Sequence, residues 1–330
     1  MPASERLPQE RGLTVPALLA EGVLTVHGRI PNASNAVLFA TVARGGEQLD
    51  CVYKPVLGER PLWDFPDGDL AGREVAAYEV CRAMGWDLVP PTVLREGPHG
   101  RGMCQQWIGP RPGRPASAER PGPDGRAGPD GDADPERDAD PAADAEPHGA
   151  AGPESADAPG GFGRLGELLA LVDAQEPGPG WKAIGFAAVP DESGAERTAL
   201  LVHADDERLR RTAVLDAVIN NADRKGGHLL PRPDGRLSVI DHGVTFHTDD
   251  KLRTLLWGWA GEPLPEEATV ALRELSRALA EHGGALTERL DGLLSEAEIQ
   301  ALRKRVAALV SSGRHPLPSG DWPAIPWPPV

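Results

Sequence analysis

Two short loops carry the residues best suited to chemistry. The first, NNADRKGGHLL over residues 220–230, places Asp223 and Lys225 between a helical pattern and a short apolar run. The second, VIDHG over residues 239–243, ends another such run on Asp241. A carboxylate in a loop can orient and deprotonate a hydroxyl, while one at the end of a strand can hold a divalent cation against phosphate oxygens. Two such groups beside one hairpin suit phosphoryl transfer to an alcohol. A lone Asp followed by Gly would signal only a turn, so the weight rests on both loops occurring together in a strand context.

The elements that must position these loops are legible as hydrophobic patterns. GVLTVHGRI, AVLFATVA and LDCVYKP read as strands, followed by a helix from about Leu70 to Met84 and two further strand runs, LVPPTVLRE and GMCQQWI. Beyond residue 161, FGRLGELLALVDA reads as a helix, TALLVHA as a strand, and Asp205 to Asn220 as a helix with Leu209, Val214, Leu215, Val218 and Ile219 on its apolar side. HLLP and RLSVID flank a Pro-Asp-Gly turn, and helical runs follow near Glu266–His282 and Glu296–Ser311. Between the halves, residues 109–161 turn to Pro, Gly, Ala and Asp, a composition that cannot bury enough apolar surface to offset the entropy of ordering. A disordered acidic insert is expected there, as a tolerated surface-loop expansion.

The blocks VYKP, GREVAAYEV, NNADRKGGHLL and VIDHGVTFH cover most of the chain outside the insert and the tail. On them the chain resembles an uncharacterised, mainly actinobacterial family related to the phosphatidylinositol 3- and 4-kinases and to HipA-type kinases. The resemblance implies an α+β, bilobal protein-kinase-like fold with ATP and Mg²⁺ between the lobes. Residues 1–108 would form a small β-rich N-lobe, residues 162–315 a mostly helical C-lobe with the catalytic and metal loops, and residues 316–330 a Pro/Trp-rich tail. The resemblance does not supply an acceptor; protein Ser/Thr, a small alcohol and an inositol-like headgroup are all compatible.

The same resemblance assigns roles. Lys54, closing CVYKP, matches the lysine that contacts the nucleotide's α- and β-phosphates, and only five lysines occur in the chain. Its expected partner is Glu74, which shares a helix face with Leu70, Ala77, Tyr78 and Cys81 and needs a cation in that apolar stripe. Glu79 and Arg82 read as a solvated pair on another face. Ser34 and Asn35 lie where a phosphate-covering loop belongs, although GxGxxG is missing and a plain hairpin loop is the competing reading. Lys225 stands where a lysine faces the transferred phosphate, against the alternative of a surface loop lysine. Arg224 reads as a buttress of its loop. His228 stands where many kinases have a metal-binding Asn, so the expected metal ligands are Asp241 with His228 and Asn220 or Asn221, or Asp241 serving a single Mg²⁺. GMCQQWI corresponds to the hinge edge that hydrogen-bonds adenine.

Composition bounds the alternatives. A net charge of −16 opposes broad capture of nucleic acid, and the missing polybasic stretch weakens a membrane-lipid acceptor. Cys51, Cys81 and Cys104 are odd in number and lack CxxC spacing, which indicates neither a disulfide framework nor a thiolate zinc site. No signal-like or membrane-spanning run is evident, so the expectation is a cytoplasmic protein without stable membrane insertion. Rival readings are a nucleotide-binding pseudokinase or regulator, an adenylyl transferase, and a metal hydrolase built on His228, His242, His247 and Asp241. Trp257 and Trp259 are expected over the C-lobe core, with Trp322 and Trp327 in an arm that packs back along the surface.

Overall fold

A computed structural model of the chain describes residues 13–30, 35–65, 68–112, 166–190 and 196–328. Ser34, and the acidic insert from residue 113 onward, lie outside the described residues.

The N-terminal part is built on a five-stranded antiparallel sheet, ordered β1-β2-β3-β5-β4. Helix α1 (Val15–Glu21) leads into β1 (Val23–Arg29), β2 (Leu38–Arg44), β3 (Glu47–Pro55), helix α2 (Leu70–Ala83), β4 (Thr92–Gly97) and β5 (Gly100–Gln106). Alternation places Ala40, Val42, Cys51, Tyr53 and Cys104 on a shared buried face against Leu18 and Leu19 of α1. All three cysteines are free and buried.

Helix α2 begins on a double cap, which fixes the register of everything it presents. Asp69 accepts from the Gly72 amide at 2.5 Å, and Glu59 accepts from the amides of Leu70 and Ala71 at 2.9 and 2.8 Å. Its far face joins the C-terminal core, where Ala76, Ala77, Val80 and Cys81 pack with Leu215, Val218 and Ile219. A buried ion pair, Arg73 to Glu298 at 2.7 Å, ties α2 to the last long helix of the chain.

The C-terminal part follows with β6 (Leu169–Val172), β7 (Trp181–Pro190), β8 (Glu196–Ala204), α3 (Glu207–Ile219), β9 (Leu229–Pro231) and β10 (Leu237–Val239). Helices α4 (Glu266–Ala280), α5 (Ala285–Asp291) and α6 (Glu296–Ser312) complete it. β6, β8 and β7 make a three-stranded sheet, and β9 pairs with β10 in a short hairpin. The arrangement is α+β, with an antiparallel sheet in the N-terminal part and a mostly helical C-terminal part, the fold class expected. One element is corrected: the run LALV, read as helical, is β6, because Leu169–Val172 pairs antiparallel with Leu200–His203 of β8. Four apolar residues fit either period, and the neighbouring strand decides. Residues after α6 pack back on the C-lobe, with Ala324 O accepting from the Thr254 amide and from Trp257 Nε1. Trp259 is fully buried, whereas Trp327 is exposed. No helix among the described residues is long and apolar enough to cross a membrane.

Candidate active site

Lys54 sits one residue from the end of β3, held between β2 and β5. Its Nζ donates to Glu74 Oε1 at 2.6 Å and to Asp241 Oδ1 at 3.0 Å. The second oxygen of Glu74 accepts from the His242 amide at 2.9 Å. One buried carboxylate on α2 thereby fixes both the strand lysine and the loop that carries Asp241. Burial works to lower the Lys54 pKa, but Asp241 and Glu74 outweigh it and raise it above the ordinary value. Lys54 in turn holds the Asp241 carboxyl well below the usual carboxylate range. Both groups are therefore charged at neutral pH, and the Asp241 side chain remains half exposed to the cleft.

The loop after β10 reaches this position through an unusual backbone. Asp241 has φ 63°, a left-handed conformation that side chains other than Gly rarely adopt. Gly243 then passes so near the start of α2 that an added Cβ would stand 3.2 Å from Leu70 Cβ.

A buried rivet holds the loops of Asp223 and Asp241 together. Arg224 and Asp216 are both completely buried and paired at 2.9 Å, and Arg224 also donates to Ile240 O at 2.9 Å and to His242 Nε2 at 2.8 Å. Asp216 further accepts from Asn221 Nδ2 and from Thr254 Oγ1. The helix carrying Asp216 ends on Asn220 in a left-handed cap, so the chain turns back and brings Arg224 over its own helix. Arg224 is the expected buttress; Asp216 was missed, although the reasoning that found Glu74, a carboxylate within an apolar helix stripe, applies equally to it.

Asp223 is directed toward the same cleft, with Lys225 Nζ 3.2 Å from its Oδ2. Burial raises its pKa, opposed by Lys225, which makes it a better proton acceptor than a free aspartate. The segment 253–254 runs alongside: the Arg253 amide donates to Asn221 O and its carbonyl accepts from the Arg224 amide. The Arg253 side chain makes no hydrogen bond or ion pair among the described residues, its Nε is buried, and its charge acts on Asp223. No sequence signal marked it.

Three of the expected ligands are committed elsewhere. The Asn221 carboxamide is fully buried, donating to Asp216 and accepting from the Asp223 amide. Asn35 Oδ1 accepts from the Arg60 amide at 3.0 Å and thus braces the chain after β3. His228 Nδ1 accepts from the Lys225 amide at 3.4 Å, and burial lowers its pKa to about 4. The neutral ring then carries its proton on Nε2, which faces Asp241 Oδ2 at 3.4 Å. In this tautomer the His228 ring lies against Asp241.

The His/Asp cluster of the hydrolase reading does not assemble. His242 is fully buried with Nε2 turned to Arg224, and His247 packs edge-on to Phe65. Among the described residues, no three His, Cys, Asp or Glu side chains converge as a metal cluster. The residues brought together are Lys54, Glu74, Asp241, Asp223 and Lys225. Met103–Gln106 of the expected hinge edge are paired with β3 and β4, which leaves their backbone in the sheet.

No protein-family model matches the chain. It is 44% identical over 313 residues to "Protein Rv2133c" of Mycobacterium tuberculosis (strain ATCC 25618 / H37Rv), and the match spans 94% of both chains. The chain belongs to the family of Rv2133c. Solved structures resemble this member of the Rv2133c family at a distance. The Golgi casein kinase is 14% identical at a TM-score of 0.44, covering 89% of this chain and 72% of that one. The same kinase with Mn/ADP bound is 14% identical at a TM-score of 0.45, covering 89% and 73%. Hydra Fam20 with sugar is 12% identical at a TM-score of 0.43, covering 90% and 86%.

Proposed function

We propose that this chain is an ATP- and Mg²⁺-dependent phosphotransferase, related to the phosphatidylinositol 3-/4-kinase-like and HipA-like enzymes, that acts on a hydroxyl of a protein or small-molecule acceptor. The observation that carries this reading is Lys54 bridging Glu74 and Asp241 at 2.6 and 3.0 Å across β3, α2 and the loop after β10. A buried carboxylate that holds a lysine in place, beside a second, half-exposed carboxylate, suits a nucleotide phosphate and its cation.

Lys54 would hold the nucleotide phosphates, while Asp241 would supply hard oxygen donors of the type Mg²⁺ takes. When bound, Mg²⁺·ATP supplies the transferable phosphoryl group and the charge that neutralises its oxygens. Asp223 orients the acceptor hydroxyl and takes its proton, a task to which its raised pKa is suited. Lys225, beside it, places positive charge where negative charge develops during transfer. Glu74 keeps Lys54 in position, and His228 and the His242 amide set the orientation of Asp241 and its loop.

The test is a thermal-shift titration of ATP with and without Mg²⁺, on wild type and Asp241→Asn, read alongside intact-mass analysis of candidate acceptors. Mg²⁺-dependent stabilisation that follows mass action in wild type and collapses in the variant is expected. A wild-type protein that ignores nucleotide sinks the reading, and an added AMP in place of phosphate redirects it to adenylyl transfer. A second reading, a nucleotide-binding regulator without transfer, is favoured by Asn221 and His228, whose polar groups are engaged by neighbouring protein groups. It predicts tight Mg²⁺·ATP binding with no ATP consumption and no effect of Asp223→Asn.

A further inference from the structure

The cations around the candidate site are paired, with one exception. Lys54 is held by Glu74 and Asp241, Lys225 by Asp223, and Arg224 by Asp216. Lys251 is held by Asp64 at 3.0 Å and lies over the Trp322 ring. Arg253, two residues further on, has no carboxylate partner among the described residues.

Its backbone fixes where it stands. The Arg253 amide donates to Asn221 O at 2.9 Å and its carbonyl accepts from the Arg224 amide at 3.0 Å, so the residue lies in register beside the loop of Asp223. Thr254, next along, bridges to Arg224 and donates through Oγ1 to the buried Asp216 at 3.2 Å, which anchors the segment. The side chain is partly buried, with Nε covered and unpartnered; the Nη nitrogens are also unpartnered but are not covered. Its positive charge acts on Asp223, whereas the charge that acts most strongly on Asp241 is that of Lys54. Arg253 thus belongs to the Asp223 side of the cleft, apart from the lysine expected to hold the nucleotide.

A guanidinium with a packed stem and an open fork suits bidentate contact with a carboxylate or phosphate. A partly buried charge without a partner is costly, and a neutral acceptor would leave that cost in place. Lys225 offsets the Asp223 carboxylate at 3.2 Å, so an anion approaching Arg253 does not meet an uncompensated negative charge beside it.

We propose that Arg253 selects the acceptor, a small alcohol that carries a phosphate or carboxylate group a few bonds from its reacting hydroxyl. This inference rests on the phosphotransferase reading. Asp223 takes the hydroxyl proton, the oxygen bonds to the γ-phosphorus of ATP, and the bond from that phosphorus to the β,γ-bridging oxygen breaks to release ADP. Arg253 holds the anion through its Nη nitrogens and takes no part in the bond changes.

The probes are glycerol 3-phosphate and D-glycerate, with glycerol as the neutral control. Each is titrated calorimetrically at neutral pH into the full chain loaded with Mg²⁺·AMP-PNP, whose own binding is first read by thermal shift. At least one anion should bind one-to-one and at least about tenfold tighter than glycerol. Arg253→Gln should weaken that binding about ten- to a hundredfold, the effect of a charge-assisted hydrogen bond. The substitution removes no side-chain hydrogen bond among the described residues, and the variant's thermal shift with Mg²⁺·AMP-PNP reports both its fold and its nucleotide binding. Arg253→Lys, which keeps the charge and loses the fork, should bind with intermediate affinity. No saturable anion binding to the nucleotide-loaded chain, equal affinity for glycerol, or undiminished binding in Arg253→Gln overturns the inference and leaves the phosphotransferase reading standing. A loss of Mg²⁺·AMP-PNP binding in Arg253→Gln as large as the loss of anion binding would place Arg253 on the nucleotide and also overturn it. A wild type that does not bind Mg²⁺·AMP-PNP overturns the phosphotransferase reading, and this inference with it.

Discussion

Glu74→Gln isolates the one side chain that touches both halves of the candidate site. In the wild type, one oxygen accepts from Lys54 at 2.6 Å and the other from the His242 amide at 2.9 Å, and the carboxylate is almost fully buried. Glutamine is nearly isosteric but has one acceptor and one donor, so whichever way it lies, its NH₂ meets an existing donor. A charge-assisted hydrogen bond contributes about 1.5–3 kcal/mol, and a buried N–H left without an acceptor costs about 1–3 kcal/mol. Lys54 keeps Asp241 as a partner and is about a fifth exposed, so the loss falls short of the full penalty for a stranded charge. The expected destabilisation is about 2–4 kcal/mol, measured by urea unfolding. Combined with Lys54→Met in a double-mutant cycle, the coupling should be about 2 kcal/mol. In Glu74→Gln alone, Lys54 keeps Asp241 as its charged partner, and Mg²⁺·ATP should stabilise the variant less than it does wild type. A coupling below about 0.5 kcal/mol, the range of exposed surface pairs, would refute the idea that this pair organises the cleft.

Further outcomes follow from other contacts. Asp216→Asn leaves Arg224 charged and fully buried, so unfolding should be easier by about 3–5 kcal/mol, with ATP response lost as the two loops separate. Acid should destabilise the fold well above the carboxylate range: burial lowers His203, His228 and His315 to about 4. The unfolded chain, with histidines near 6.5, binds protons that the native state refuses, so the contribution is complete above about 6.5 and is lost as pH falls toward 4. By pH 5 each histidine removes about 2 kcal/mol, and an unchanged urea midpoint between pH 7.5 and 5 would contradict this. Arg253→Gln removes a cation that lowers the Asp223 pKa, so the acidic limb of ATP turnover should move to higher pH. Lys225→Met should move it further, because Lys225 acts more strongly on Asp223.

The candidate site residues were more legible in the sequence than the framework that holds them. Lys54 and Glu74 could be paired because lysine is scarce and because a glutamate on an apolar helix face requires a cation, and both signals are local. Asp223 and Asp241 stood out by their two loops. The Asp216–Arg224 rivet depends on the left-handed turn at Asn220, which folds the chain back over its own helix; spacing alone does not reveal such a reversal. Strand β6 was misread because four apolar residues suit two periods, and β7, with Ala183, Gly185, Ala187 and Ala188 breaking its pattern, gave no period at all. Asn221 and His228 were identified as ligands from their position, whereas their hydrogen bonds turn them to the support of the loop.

The docking of residues 322–325 has a consequence for the order in which the protein is made. Thr254 and Trp257 depend on the carbonyl of Ala324, and Trp322 covers the ammonium of Lys251 at 4.4 Å from its ring centre. The partners in the Trp257 bond are 67 residues apart, so at about 5–20 residues per second the segment beside Arg253 waits about 3–13 s on the ribosome for its brace. During that interval the nascent chain lacks the contacts that fix segment 251–257 beside the candidate site, and a truncation before residue 322 would make this state permanent.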